Sequence, residues 1–267
     1  MRIVNIETFQ NNDKNFLTSL QPEDWQSILP SFDFYIKSAF CFPIKVVLED
    51  IIVGIGATII HNDVAWLAHI IVHQDYRNKG IGQEITRHSI NTAQTAKCKT
   101  IYLIATDLGY PVYNKIGFET ETEYLFFKDV IINEATLKNI TPFNNGFKEQ
   151  VINIDREVSG ENRVIHIDEH FSNAYVYQIK NKVEGYYLPT FGDGLIIAKT
   201  ASAGIQLMKL RFEENKTAAI PIGNCTAVDF LHKNNFCEFK KANRMRLGIK
   251  RNWQPTNIYN RISGSLG

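Results

Sequence analysis

The sequence predicts an α+β fold, and three stretches predict it. Val64–Val72 is a nearly unbroken apolar run, interrupted only by His69, as in a strand buried on both faces. The polar loop Arg77-Asn78-Lys79-Gly80-Ile81-Gly82 follows. Ile81, Ile85, Ala93 and Ala96 then recur on one face with the period of a helix. Residues 44–48 and 51–60 read as a hairpin turning at Glu49-Asp50, which adds antiparallel pairing to the strand–loop–helix unit.

Residues 1–8 alternate apolar and polar like a first strand. Residues 12–20 and 22–40 carry helical patterns. Pro22 suits a first helical turn, and Glu23 and Asp24 suit its positive end. Trp25, Phe32, Phe34, Tyr35 and Phe40 are read first as core aromatics. Gly54 and Gly56 predict a bulge or a close backbone approach, and His61-Asn62-Asp63 turns into the central strand. After Lys97-Cys98-Lys99, residues 101–105 form a strand, and residues 122–130 form another. Residues 131–150 read as a connection, with Asn144-Asn145-Gly146 its clearest turn, between a lobe at 1–130 and a lobe at 151–267. An apolar-alternating region begins at Val151. Strands are expected at 174–179, 183–188, 195–198 and 217–222, helices at 200–212 and 225–232, and a closing strand from Arg244 to Gly248.

The chain has 267 residues and 44% hydrophobic content, enough for two lobes with real cores. Its 29 basic and 28 acidic side chains nearly cancel, and no long basic run occurs, so nothing points to nucleic acid. Cys41, Cys98, Cys225 and Cys237 are widely spaced and read as free thiols of a reducing compartment. No signal-peptide pattern and no membrane-length apolar run is present, so a cytoplasmic protein with no membrane partner is expected.

A buried strand, a glycine loop and a helix in that order place free backbone N–H groups at the positive end of a helix, which suits a phosphate. Gly80 and Gly82 let a ligand approach the backbone, and Arg77 and Lys79 add positive charge. Neither the Walker spacing nor the Rossmann fingerprint fits; Ile59 stands where Gly54-Ile55-Gly56 would need a third glycine. The loop resembles the R/Q-x-x-G-x-G/A pyrophosphate loop of the GNAT N-acetyltransferase superfamily. Tyr113 with Gly117-Phe118 resembles the Y-x-x-x-G-F that ends the GNAT core, at matching spacing. The order of elements resembles a bacterial subgroup with two GNAT-like lobes. Thus the resemblance implies a mixed, mainly antiparallel sheet flanked by helices, followed by a second, degenerate lobe. That lobe has Lys199-Thr200-Ala201-Ser202-Ala203-Gly204 in place of a phosphate loop, and Phe236 without a tyrosine four residues before it.

The resemblance implies a site. Acetyl-CoA is expected against Arg77, Asn78, Lys79, Gly80, Ile81 and Gly82, with its arm along Ile70, Ile71 and Val72, where a backbone N–H would polarise the acetyl carbonyl. Thr106 stands where many relatives have an asparagine that contacts the cofactor. Tyr113 stands where the family's general acid protonates the leaving thiolate, giving CoA as product. Relatives with a basic residue on the central strand would place it at Ala68 or Trp66, and neither takes a proton. His69 has suitable chemistry, but plain alternation puts it on the face opposite Ala68 and favours a core histidine; a bulge would reverse that. Asp107, a water chain and a second-lobe side chain remain open as the base. The aromatics of residues 22–40 lie in the region that in relatives covers the acceptor.

His166 and His170 are spaced as a helical metal pair, but no third ligand accompanies them, and no metal is expected. The reading is acetyl transfer to the amine of a small molecule. A non-catalytic acetyl-CoA-binding scaffold and acetylation of a protein amine are the alternatives, and a homo-oligomer is left open.

Overall fold

The chain opens with strand β1 (Asn5–Thr8) and a 3-10 turn (Asn11–Phe16) that continues into the single-turn helix α1 (Leu17–Leu20). Helix α2 (Leu29–Lys37) comes next, so the helix expected over 22–40 starts late. Gln21 supplies the reason. Its side-chain amide donates to the carbonyls of Pro22, Trp25 and Gln26 at 3.0, 3.2 and 3.1 Å, and its oxygen accepts from the Ile28 N–H at 2.9 Å. These bonds hold the segment as a loop, and Pro30 in the first turn of α2 then starts the helix. The computed structural model describes residues 5–23, 25–129 and 137–267.

Strands β2 (Cys41–Leu48), β3 (Ile51–His61) and β4 (Val64–Val72) extend β1 into an antiparallel sheet. Glu49 and Asp50 have φ of 49° and 65°, the left-handed pair that a tight two-residue hairpin turn needs. Helix α3 (Ile81–Thr95) packs on β3 and β4. Gly54 and Gly56 are close-approach positions: a Cβ on them would stand 2.9 and 2.7 Å from methyl carbons of Ile85. Helix α3 buries Ile81, Ile85, Ile90 and Ala93, whereas Ala96, expected on that face, is exposed beyond its end. Strand β5 (Thr100–Ala105) runs parallel to β4 and leads into helix α4 (Tyr110–Ile116) and strand β6 (Glu119–Lys128).

Met1–Glu119 with Met245–Ile249 and Gly264–Leu266 form one compact unit, and Thr120–Arg244 with Lys250–Ser263 and Gly267 form the other. Residues 131–136 of the expected connection lie outside the described residues, as do Val130 at the end of the expected strand 122–130 and Asp24 of the expected helix. The rest of that connection holds strand β7 (Ile140–Pro142) and a 3-10 turn (Asn145–Phe147) whose N–H at Gly146 bonds the Asn144 side chain. Helix α5 (Lys148–Ser159) then occupies the stretch read as apolar alternation. Buried Asp155 completes its apolar face with Val151, Ile154 and Val158, and a charged residue there hides the helical period from the sequence.

Helix α6 (Val164–Ile167), β8 (Tyr175–Ile179), β9 (Lys182–Leu188) and β10 (Leu195–Ala198) follow. Then come α7 (Ala201–Phe212), β11 (Ala218–Pro221), α8 (Cys225–Lys233), β12 (Cys237–Gly248) and β13 (Ile258–Asn260). The order β13-β10-β9-β8-β7 makes a five-stranded sheet, and β11 pairs antiparallel with β6. Strand β12 starts at Cys237, earlier than Arg244, where the sequence places its opening. Phe127, Ile196, Leu207, Met208, Ile220, Leu231, Phe236 and Tyr259 share the second unit's core.

Candidate active site

Strand β4 pairs with β5 only over three positions, Val64–Trp66 against Thr100–Tyr102. Beyond Trp66 its partner on the other side, β3, continues to Val72. One edge of residues 67–72 is therefore released from β5. The His73 N–H donates to Val53 C=O at 2.9 Å, so alternation along the antiparallel ladder turns the Val72 N–H toward the released edge. An N–H there is the donor the sequence expects near Ile71 and Val72, beside Ile70.

The ladder carries a bulge. Ile55 faces Ile71 and Ala57 faces Ala68, so Gly56 alone stands opposite His69 and Ile70. His69 has φ of 49°, a left-handed backbone within a strand. The phase of the strand changes there: Ala65 and Leu67 pack with Ile90 and Ala93, while Ile70 and Val72 pack with Ile81 and Ile85. Thus the alternation that made His69 a residue of the opposite face does not apply. Its ring meets Trp25, Phe32 and Tyr35 at centroid distances of 6.0, 5.9 and 5.6 Å, and its Nδ1 lies 2.9 Å from the Tyr35 hydroxyl. Burial pushes His69 down to about 4, so the ring is neutral at pH 7.

The loop that follows is held from within. Arg77 Nε donates to Val72 C=O at 3.2 Å, which ties the loop to the strand end. Lys79 Nζ donates to Asp75 C=O at 2.8 Å and stands 4.9 Å from the Tyr76 ring centroid. Asn78 and Gly80 have φ of 59° and 85°. Gly80 is the residue before α3 and brings no side-chain cap, so the first N–H groups of a 15-residue helix face outward without one. Nothing lies within 4 Å of a Cβ built on Gly80, and the nearest atom to one on Gly82 is Val72 Cγ2 at 3.6 Å. The protein's own packing leaves both positions free to carry a side chain, apart from the backbone sign at Gly80. An uncapped helix start over such a cradle fits a pyrophosphate.

Tyr113 on α4 is buried, its ring 6.0 Å from that of Phe118 and pressed on Gly109, where a Cβ would be 2.7 Å from it. Burial raises its phenol above the ordinary value, which keeps the proton on the oxygen. Thr106 is engaged in the turn: its hydroxyl oxygen accepts from Gly109 N–H at 3.3 Å. Asp107 is exposed.

The released edge, uncapped helix and buried phenol belong to the same unit, and comparison with known proteins gives them a family. Residues 7–118 match the sequence profile of the acetyltransferase (GNAT) family. The first lobe is a GNAT domain. It is an acyltransferase domain, followed by a second lobe that extends the likeness over the whole chain. A candidate acetyltransferase from Pyrococcus horikoshii superposes with a TM-score of 0.84 at 22% identity, over 100% of this chain and 97% of that one. A tandem GNAT protein of the clavulanic acid biosynthesis pathway superposes with a TM-score of 0.59 at 12% identity, over 92% and 98%. A GNAT protein from Anabaena variabilis gives 0.57 at 10% identity, over 91% and 72%. At these identities the likeness shows the tandem GNAT fold. No curated protein matches the chain in sequence.

The second unit lacks the same opening. Strand β10, which precedes α7 as β4 precedes α3, is paired on both sides, by β9 and by β13. Thr200 caps α7 by accepting from Ala203 N–H at 3.3 Å, and the Tyr259 ring lies where a Gly204 side chain would be. His166 is buried in α6 and His170 stacks on Phe191, and no cluster of three metal-ligating side chains occurs among the described residues. No helix among the described residues is long and apolar enough to cross a membrane.

Proposed function

We propose that the chain is an acetyl-CoA-dependent N-acetyltransferase of a small-molecule amine, working in the cytoplasm. The observation that carries the reading is the uncapped start of α3 at Gly80–Gly82, next to a strand edge that β5 has released. Acetyl-CoA would supply the thioester. Its phosphates would be held by the first N–H groups of α3, and its arm would pair with the free edge of β4. The Val72 N–H, aimed at that edge, would polarise the acetyl carbonyl. Tyr113, protonated by virtue of its burial, would hand its proton to the leaving sulfur. The charge balance of the chain and its lack of a basic run support a small acceptor over nucleic acid.

Two measurements test this. Gly82→Val adds a branched side chain where the protein has room for it and the phosphates would not. Calorimetry should show acetyl-CoA affinity falling about tenfold or more in a folded variant; unchanged affinity removes the loop from the cofactor site. A thiol-release screen over amino acids, polyamines, aminoglycosides and peptides should find an acceptor. Tight acetyl-CoA binding without release for any amine would leave a binding protein with no transfer chemistry.

A further inference from the structure

We infer that the acceptor is a monoamine with an aromatic body, and that Trp25 takes that body beside the released edge of β4. This rests on the acyl-transfer reading above and names the substrate class that reading leaves open.

The first observation is where Trp25 stands. Its ring meets that of His69 edge-on, with centroids 6.0 Å apart. His69 lies on the stretch of β4 that β5 has released, where Val72 offers its N–H. The second is how Trp25 is held. Its N–H donates to Pro22 C=O at 3.2 Å, and its C=O accepts from the Gln21 side-chain amide at 3.2 Å. Both of its backbone groups are therefore tied within the loop, which fixes where the ring starts from. The third is exposure. Phe32 and Tyr35, the other rings around His69, are buried, whereas Trp25 is partly exposed. A ring that only fills a core is covered as Phe32 is. A partly open indole leaves apolar surface for a ligand.

The fourth observation is charge. Burial alone lowers His69 and raises Tyr113, and no carboxylate among the described residues acts on either, or on Tyr35. Asp13 and Asp33 are engaged by Lys45 and Lys14, and Glu23 is exposed. An ammonium brought to these rings finds no anion to pair with, and desolvating it costs free energy. For a single amine that cost favours the neutral form, which is the form that attacks. The neutral nitrogen bonds the acyl carbon and the carbon–sulfur bond breaks. Tyr113 gives its proton to the sulfur, the nitrogen loses one to solvent, and solvent restores the phenol, leaving amide and CoA thiol. A polyamine or an aminoglycoside would bring further ammonium groups with nothing here to hold them. An aromatic body gains more than an aliphatic one, because ring edges and faces attract each other beyond the area they bury.

Thiol release from acetyl-CoA with phenethylamine, cyclohexylethylamine and spermidine tests the class. The kcat/KM for phenethylamine should exceed that for spermidine by about tenfold or more, and that for cyclohexylethylamine by about threefold. An equal or higher value for either comparator overturns the proposal. Trp25→Leu keeps an apolar side chain and should raise KM for phenethylamine about tenfold, with the loss mainly in KM. A KM within about twofold of wild type overturns the role of Trp25, since a ring that only packs would lower the urea midpoint and leave KM alone. Binding to the wild-type chain needs no variant. With CoA present, phenethylamine should change the tryptophan fluorescence saturably and spermidine should not; no saturable change with phenethylamine overturns the proposal. Saturable binding without thiol release from any amine defeats the acyl-transfer reading and leaves the aromatic-amine site standing.

Discussion

Tyr113 and His69 are both aromatic and both shifted by burial. Tyr113→Phe deletes only the donor. Its effect is expected in kcat, a loss of about 10²–10⁴-fold softened toward the low end where water reaches the sulfur, with acetyl-CoA affinity unchanged. Steady-state kinetics with an acceptor from the screen decides this; wild-type kcat would leave Tyr113 as a packed ring. His69 also carries a stability signature. Its pKa, about 4 in the folded chain, lies below the ordinary histidine value, so the unfolded chain takes the proton first as pH falls. Its contribution is intact above the unfolded pKa of about 6.5 and is lost progressively toward pH 4, by at most about 3 kcal/mol and less for a half-buried ring. Urea unfolding at pH 7 and pH 4.5 should show a smaller pH dependence in His69→Asn, which tolerates the left-handed backbone, than in wild type. Equal dependence in both would mean that His69 keeps its ordinary pKa.

Helices α3 and α7 show one element in two settings, open at its start in the first and sealed in the second. Both follow a buried strand, and both have glycine near the start. At the start of α3 a Cβ on Gly80 would meet nothing within 4 Å and one on Gly82 only Val72 Cγ2 at 3.6 Å, whereas in α7 Gly204 meets the Tyr259 ring at 2.1 Å from a built Cβ. Gly204→Ala should therefore destabilise the chain by about 1–3 kcal/mol through a shifted ring. A lowered urea midpoint at unchanged slope would show it; an unchanged midpoint would mean that the ring moves freely and does not seal the helix. The corresponding strands differ in the same way, since β4 is released by β5 after Trp66 while β10 has β13 along its second edge.

Across the whole molecule, the cradle and released edge belong to the first unit, and their counterparts in the second are filled by its own side chains and strand. One equivalent of acetyl-CoA per chain is expected by calorimetry, and two would contradict the sealed α7. Much of this was legible in the residues. The apolar run Val64–Val72, the glycine loop and the Tyr113-to-Phe118 spacing are local patterns, and local patterns survive folding because backbone sterics and burial set them. Helix α5 was not legible, because Asp155 breaks its apolar face while the Arg163 side chain, 2.8 Å away, makes its burial tolerable. Nor was the late start of α2, which depends on what Gln21 bonds. The sequence by itself determined the fold class, the glycine loop before α3 and the absence of such a loop from the second lobe. Only tertiary structure decided where His69 points: a bulge depends on how two strands register against each other, and one extra residue opposite Gly56 reverses a side chain that alternation alone assigns to the other face.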